Sequence, residues 1–334
     1  MKSNKKETYI DLSTVEALEV QWLMRPLIPL GMITVMEGDP GIGKSYLAMH
    51  IAAQVSIGGT LPGVKRLKKG RVLYISAEDD AAYTIRPRID AMGGDPSQIR
   101  IQANYEALDE AGIKALFDEV KKNPPRLIIL DPLFAYVPGN ADMYRPNVIR
   151  ALLAALKEIA EYGETAIVII RHLTKTKRDK AIYQGMGSMD VIGVARSAVL
   201  VAQHPDEPDY KVMAHLKHNI SERGGSWVYE LRKESEGAVP ILHWVGSTEL
   251  TVEDLIGGDD GDRHSARDQA AEFLRGFLKE GPQPARLVEE KAKAAQVARR
   301  TLDRAKQELN IVARKTKNGW MWSLPKRVAG KPAR

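Results

Sequence analysis

Gly38-Asp39-Pro40-Gly41-Ile42-Gly43-Lys44-Ser45 holds the residue types, at the spacing, needed to wrap a polyphosphate. Glycines let successive backbone N–H groups turn inward around phosphate oxygens, and a helix starting at the lysine adds partial positive charge. Lys44 is then placed to reach the β- and γ-phosphates, and the Ser45 hydroxyl to ligate Mg²⁺. The flanks agree, because the apolar run Ile33–Glu37 precedes the motif and the apolar-periodic stretch Tyr46–Val55 follows it. A chance glycine-rich turn would have neither. The expected ligands are ATP and Mg²⁺, with Gly38, Asp39, Pro40, Gly41, Ile42, Gly43, Lys44, Ser45 and Tyr46 around the nucleotide.

A second group is needed on the metal side, and a carboxylate suits it. Arg126-Leu127-Ile128-Ile129-Leu130-Asp131 is an apolar strand ending in such a group, and Asp131 is assigned to Mg²⁺, acting through water. Many enzymes with this loop carry the water-activating glutamate directly after that aspartate. Here the position is Pro132, which has no proton-accepting side chain. The base must come from elsewhere, and Glu78 in Ser76-Ala77-Glu78-Asp79-Asp80 is the best candidate. It follows the apolar strand Val72–Ile75 and would emerge at the phosphate-loop edge of the sheet. Asp79 and Asp80 compete with it, but read as solvated carboxylates at a helix start.

These residues need a scaffold. Strand-like runs at Ile33–Glu37, Arg71–Ser76, Leu127–Leu130, Ala166–Ile170 and Ala198–Val201 alternate with helical stretches, one of them spanning Asn147–Tyr162. That alternation predicts an α/β fold with a mostly parallel, helix-covered sheet whose strand C-termini share one edge. A closing hairpin (Tyr210–His215, Trp227–Leu231, then Ile241–Val245) ends the core. The predicted domains are an arm over 1–30, a core over 31–256, a linker over 257–264, a small domain over 265–325 and a basic tail over 326–334. Helices at Ser265–Lys279, Ala285–Ala294 and Ala298–Leu309, followed by two strands around Lys317-Asn318-Gly319, give the element order of a winged helix-turn-helix.

The phosphate loop, Ser76-Ala77-Glu78-Asp79 one strand later, Leu130-Asp131-Pro132-Leu133, and Gly187-Ser188-Met189-Asp190 leading to Ala195-Arg196-Ser197 occur in a telling order. Together they resemble the RecA-like ATPases of the hexameric RepA-type replicative helicases, over about residues 20–232. The resemblance implies a RecA-like P-loop core and a catalytic role for Glu78. It implies that His172, at the end of the Ala166–Ile170 strand, senses the γ-phosphate. The basic run that follows, with Lys175, Lys177, Arg178 and Lys180 leading to Gly185 and Gly187, reads as a DNA-contacting loop, a solvated charge run being the alternative. The resemblance implies that Arg196 is an arginine finger acting on the neighbouring subunit's nucleotide, with Lys217 as the fallback across the same interface. Such a finger requires an oligomer, and the resemblance implies a ring-shaped homohexamer.

Composition bounds the rest. The chain has 334 residues and a net charge of +6, and it has no cysteine, which excludes disulfides and thiolate zinc sites. Its start lacks an apolar signal-like run and no run is long enough to span a bilayer, so a cytoplasmic protein without membrane contact is expected. Residues 262–334 carry 18 Lys and Arg against 8 Asp and Glu, while residues 1–261 are slightly acidic. The third tail helix sets Ala298, Leu302, Ala305 and Leu309 in one stripe and Arg299, Arg300 and Arg304 on or near the other face, as a DNA-recognition helix would. The leading expectation is an ATP-dependent DNA translocase or helicase of replication. A RecA-like recombination mediator, loader or DNA-binding regulator without unwinding activity is the alternative, and a winged-helix DNA-binding protein with a degenerate nucleotide site is disfavoured by the intact Lys44, Ser45, Glu78 and Asp131.

Overall fold

The computed structural model describes residues 9–102, 104, 106–138, 146–173, 190–256, 260–295, 297, 299–317 and 319–325, in two units divided between Ile256 and Gly257. In chain order the first unit runs β1 (Trp22–Met24), β2 (Ile28–Pro29), β3 (Ile33–Gly38), α1 (Lys44–Ile57), β4 (Val72–Ser76), α2 (Arg86–Ala91), β5 (Ile99–Ile101) and α3 (Glu110–Lys122). It continues with β6 (Leu127–Asp131), α4 (Pro146–Gly163), β7 (Ala166–His172), α5 (Asp190–Val194), β8 (Ser197–Gln203), β9 (Tyr210–His218), β10 (Ser226–Arg232), β11 (Ile241–Thr248) and α6 (Val252–Ile256).

The large sheet has the strand order β11-β10-β9-β8-β3-β7-β6-β4-β5. The six strands from β8 to β5 are mutually parallel, and β9, β10 and β11 extend the sheet antiparallel from β8. This is the α/β architecture expected of a RecA-like P-loop core. All six residues of β3 are buried, as a strand covered on both faces requires. Met36 turns to the face holding α1 and α2, while Ile33 and Val35 turn to the face holding α3 and α4.

α1 is buried along most of its length, so its sequence is apolar all round rather than striped. α3 starts on Asp109, whose side chain accepts from the Gly112 N–H, and ends with Lys121 and Lys122 against the negative end of the helix dipole. α4 falls within one residue of the expected Asn147–Tyr162.

Two domain boundaries need correction. β1 and β2 form a hairpin whose Leu23, Met24, Leu27 and Ile28 are at most 1% exposed and belong to the main core, so the arm ends before Trp22 and not at residue 30. Each of those side chains contributes about 1.5–3 kcal/mol by burial, which outweighs the weak strand pattern of a segment carrying two prolines. The expected 257–264 linker is also too long, because α7 (Asp260–Phe277) begins at Asp260.

The second unit runs α7, β12 (Gln283–Pro284), α8 (Ala285–Ala294), α9 (Arg299–Glu308), β13 (Val312–Thr316) and β14 (Gly319–Ser323), with an antiparallel three-stranded sheet of order β12-β14-β13. Leu302 and Ala305 of the expected stripe are buried with Trp322, and Leu309 packs against them. Among the described residues no helix is long and apolar enough to cross a membrane.

Candidate nucleotide site

Parallel pairing sets the site by register. Gly38 at the end of β3 lies opposite His172 at the end of β7, and Ser76 at the end of β4 lies opposite Asp131 at the end of β6. The phosphate loop, Glu78, Asp131 and His172 therefore share one sheet edge. Gly41 and Gly43 have φ of 78° and 97°, which side chains beyond glycine resist. A Cβ on Gly38 would lie 2.2 Å from the Val201 carbonyl oxygen, so the loop can start this close to β8 only as glycine.

Lys44 is 4% exposed and its Nζ donates to the carbonyls of Gly38 at 2.9 Å and Asp39 at 2.8 Å. Burial pulls its pKa down to about 8 against the opposing pull of Asp131, Asp39 and Glu78. The same ammonium lies 3.1 Å from His172 Nδ1, which must accept, since a lysine ammonium has only donors. Nε2 then carries the His172 proton and faces Glu78 Oε1 at 3.7 Å. Burial and the Lys44 charge both lower the His172 pKa, which keeps the imidazole neutral. Lys44, His172 and Glu78 thus form one line from the loop to the candidate base, whose side chain is 56% exposed to incoming water.

Asp131 is 2% exposed, and burial raises its pKa to about 6 although hydrogen bonds from Tyr74 and Ser45 oppose the rise. The fully buried Tyr74 donates its hydroxyl to Asp131 Oδ2 at 2.8 Å. A buried carboxylate beside a serine hydroxyl is a hard oxygen set with negative charge to compensate, and it fits Mg²⁺. Asp80 caps the following turn, accepting from the Ala82 and Tyr83 N–H groups at 2.8 Å, as its position suggests. Asp79 corrects the expectation of a solvated carboxylate. It is half-buried, pairs with Arg88 at 3.5 Å, and burial raises its pKa. The Arg88 guanidinium in turn lies 4.2 Å over the Tyr46 ring.

Two groups escaped the sequence reading. Tyr74 looked like an ordinary strand former, although a tyrosine on a buried strand needs a partner for its hydroxyl. Glu37 and Arg171, 0% and 1% exposed, pair at 2.7 Å one residue before Gly38 and His172. Burial raises the Glu37 carboxyl while Arg171 pulls it down. Breaking such a buried pair costs about 3–5 kcal/mol. It therefore clamps the strand feeding the phosphate loop to the strand bearing His172.

Arg196 and Lys217 lie at the other sheet edge. Arg196 precedes β8, its N–H donates to the Ile33 carbonyl at 3.1 Å, and five residues of β3, about 16 Å of strand, separate that level from Gly38. Arg196 is exposed. Lys217 is committed to the end of α5, donating to the Ile192 and Gly193 carbonyls at 2.5 and 3.1 Å, and burial with the nearby Arg196 charge lowers its pKa. The structure brings these two together and keeps both away from the phosphate loop of their own chain. Lys175, Lys177, Arg178 and Lys180 lie outside the described residues, as do the side chains of Arg300 and Arg304. Arg299 is exposed but engaged, with Glu289 at 2.8 Å and Asp303 at 3.3 Å.

A parallel sheet with a glycine-rich loop, a buried loop lysine and a strand-end aspartate defines a P-loop ATPase fold. The profile of the AAA domain family matches residues 4–178, just over half of the chain, and the protein belongs to that family. The chain is 29% identical over 233 residues to the DNA repair protein RadA of Streptococcus pneumoniae, covering 69% of this chain and 48% of that protein. It is 30% identical over 147 residues to the RadA of Mycobacterium tuberculosis (43% and 28% of the two chains) and 24% identical over 234 residues to that of Listeria monocytogenes (69% and 45%). The chain spans less than half the length of these curated relatives.

Proposed function

We propose that the protein hydrolyses ATP to move along or remodel DNA, as a ring-shaped, homohexameric assembly in which each nucleotide lies between two subunits. The observation that carries this is the division of charge between two sheet edges. Lys44, Ser45, Asp131, His172 and Glu78 gather at one, and the exposed Arg196 stands at the other, where only a neighbour's nucleotide is within its reach.

Mg²⁺ would neutralise the phosphate charge that builds up in transfer. Ser45 and Asp131 are placed to hold it, with Tyr74 fixing the Asp131 carboxylate. Lys44 exchanges the Gly38 and Asp39 carbonyls for phosphate oxygens on nucleotide binding. Glu78 orients water and accepts its proton, and neutral His172, between Lys44 and Glu78, reports the occupancy of the loop. Arg196 of the next subunit stabilises the departing charge.

DNA as the substrate follows from the relatives, which are named as DNA repair proteins, and from the basic second unit, whose helices and sheet suit a winged helix. Replicative unwinding is the leading form of the reading. The RadA names favour a second form, a repair or recombination ATPase without strand separation. A forked-duplex assay with ATP, alongside single-strand-stimulated hydrolysis, decides between them. Displacement lost in Lys44→Ala and Arg196→Ala supports the helicase form, stimulated hydrolysis without displacement supports the repair form, and hydrolysis indifferent to DNA contradicts both.

A further inference from the structure

The hairpin of the second unit carries two tryptophans with opposite fates. In the β13–β14 register Ala313 lies opposite Trp322 and Lys315 opposite Trp320. Alternation puts both pairs on one face of the sheet. Trp322 is 4% exposed in the core, with Lys306 Nζ 4.1 Å above its ring. Trp320, two residues nearer the hairpin tip, is 55% exposed. Among the described residues no cation lies over the Trp320 ring as Lys306 lies over Trp322.

That face opens on a groove of about 750 Å³ lined by Arg286, Glu289, Arg299, Lys306, Trp320 and Trp322, among others. Glu289 is neutralised by Arg299 at 2.8 Å. Among the described residues no carboxylate pairs with Arg286, Lys306 or Lys315. The groove therefore offers an open indole platform and a surplus of positive charge, which suits a ligand that is flat, aromatic and polyanionic at once.

We propose that this groove binds a single strand of nucleic acid, one unstacked base lying on Trp320 with neighbouring phosphates against Lys315, Lys306 and Arg286. A duplex keeps its bases stacked on one another and has none to lay on an isolated ring. The inference deepens the DNA reading above, but its test needs no ATP and so fails separately from it.

The test uses the full chain without nucleotide and 15-mers of dT and rU carrying one 5-bromouracil. Irradiation is expected to crosslink the peptide containing Gly319–Ser323, and whichever sugar gives the stronger yield identifies the strand. Trp320→Ala is expected to lose that crosslink and about tenfold or more in affinity, with Trp320→Phe restoring both in part. Lys315→Ala is expected to keep the crosslink and lower the slope of log K against log salt by about 0.7, one phosphate contact fewer. A crosslink that persists in Trp320→Ala, affinity unchanged by it, or a duplex that outcompetes the single strand for this peptide overturns the proposal.

Discussion

Replacing Tyr74 with phenylalanine removes one oxygen and keeps a ring that fills the same core volume. Its hydroxyl is the 2.8 Å donor to Asp131 Oδ2, and Asp131 is 2% exposed, so water cannot take its place without opening the core. A hydrogen bond to a charged acceptor contributes about 1.5–3 kcal/mol. The bond favours the ionised carboxylate, and so does a neighbouring Mg²⁺, so its loss weakens cation binding by about 10- to 100-fold. The assay is a Mg²⁺ titration of fluorescent-ATP binding at pH 7.5, with nucleotide affinity in EDTA as the reference. Half-saturation should shift upward while the EDTA affinity stays within about twofold. A thermal melt of the free protein checks that the fold persists. A Phe variant whose Mg²⁺ half-saturation matches the wild type would refute the idea that Tyr74 positions Asp131.

Three further predictions concern protons and packing. Burial lowers the pKa of both His50 and His215 to about 4, so their neutral forms stabilise the fold above pH 6.5 and that contribution is lost as pH falls from 6.5 through 4. The Gly224 N–H donates to His215 Nδ1 at 2.8 Å, which makes that nitrogen an acceptor. Urea melts between pH 7 and 4 should show the decline, on the order of 3 kcal/mol for each histidine, and His50→Gln should remove about half of it; an unchanged slope would count against burial as the cause. Lys44 sits at about 8 in the empty site and phosphate favours its charged form, so nucleotide binding should take up protons at pH 8.5 and almost none at pH 6.5. Calorimetry in two buffers of different ionisation enthalpy reads this directly, and equal heats at pH 8.5 would contradict it. Gly38→Ala should cost about 1–3 kcal/mol in a urea melt, because the new methyl meets the Val201 carbonyl at 2.2 Å. An unaffected midpoint would mean that β8 yields easily.

What was legible in the sequence was local. The phosphate loop lies in eight consecutive residues between an apolar strand and an apolar helix, so both its chemistry and its setting could be read from one stretch. Asp131 drew notice because it closes a short apolar run and Glu78 because it follows one, and the shared edge followed from parallel crossovers. The side chains that tie the site together were hidden, because their partners are distant in the chain. Tyr74 meets Asp131 57 positions away, and Glu37 meets Arg171 at a separation of 134. Only the strand order, which puts β3 beside β7 and β6 beside β4, creates these pairs. The β1–β2 hairpin was missed because two- and three-residue strands around Pro26 and Pro29 carry no periodicity, and burial rather than propensity folds them. The hydrogen bonds that Lys217 makes to the end of α5 were not legible, because a lysine capping a distant helix end leaves no mark near its own position.

A nucleotide site shared between subunits is tested most directly by mixing two inactive variants. Lys44→Ala lacks its own phosphate contact but carries an intact Arg196, and Arg196→Ala has the reverse defect. Each alone should hydrolyse ATP about 10³-fold more slowly or worse, with Arg196→Ala retaining its nucleotide affinity. Mixed, they should recover a fraction of wild-type turnover that peaks near equal proportions, since an Arg196→Ala phosphate loop then faces a good arginine. A mixture no more active than its components, or an Arg196→Ala protein that hydrolyses ATP at the full rate, would contradict the shared site.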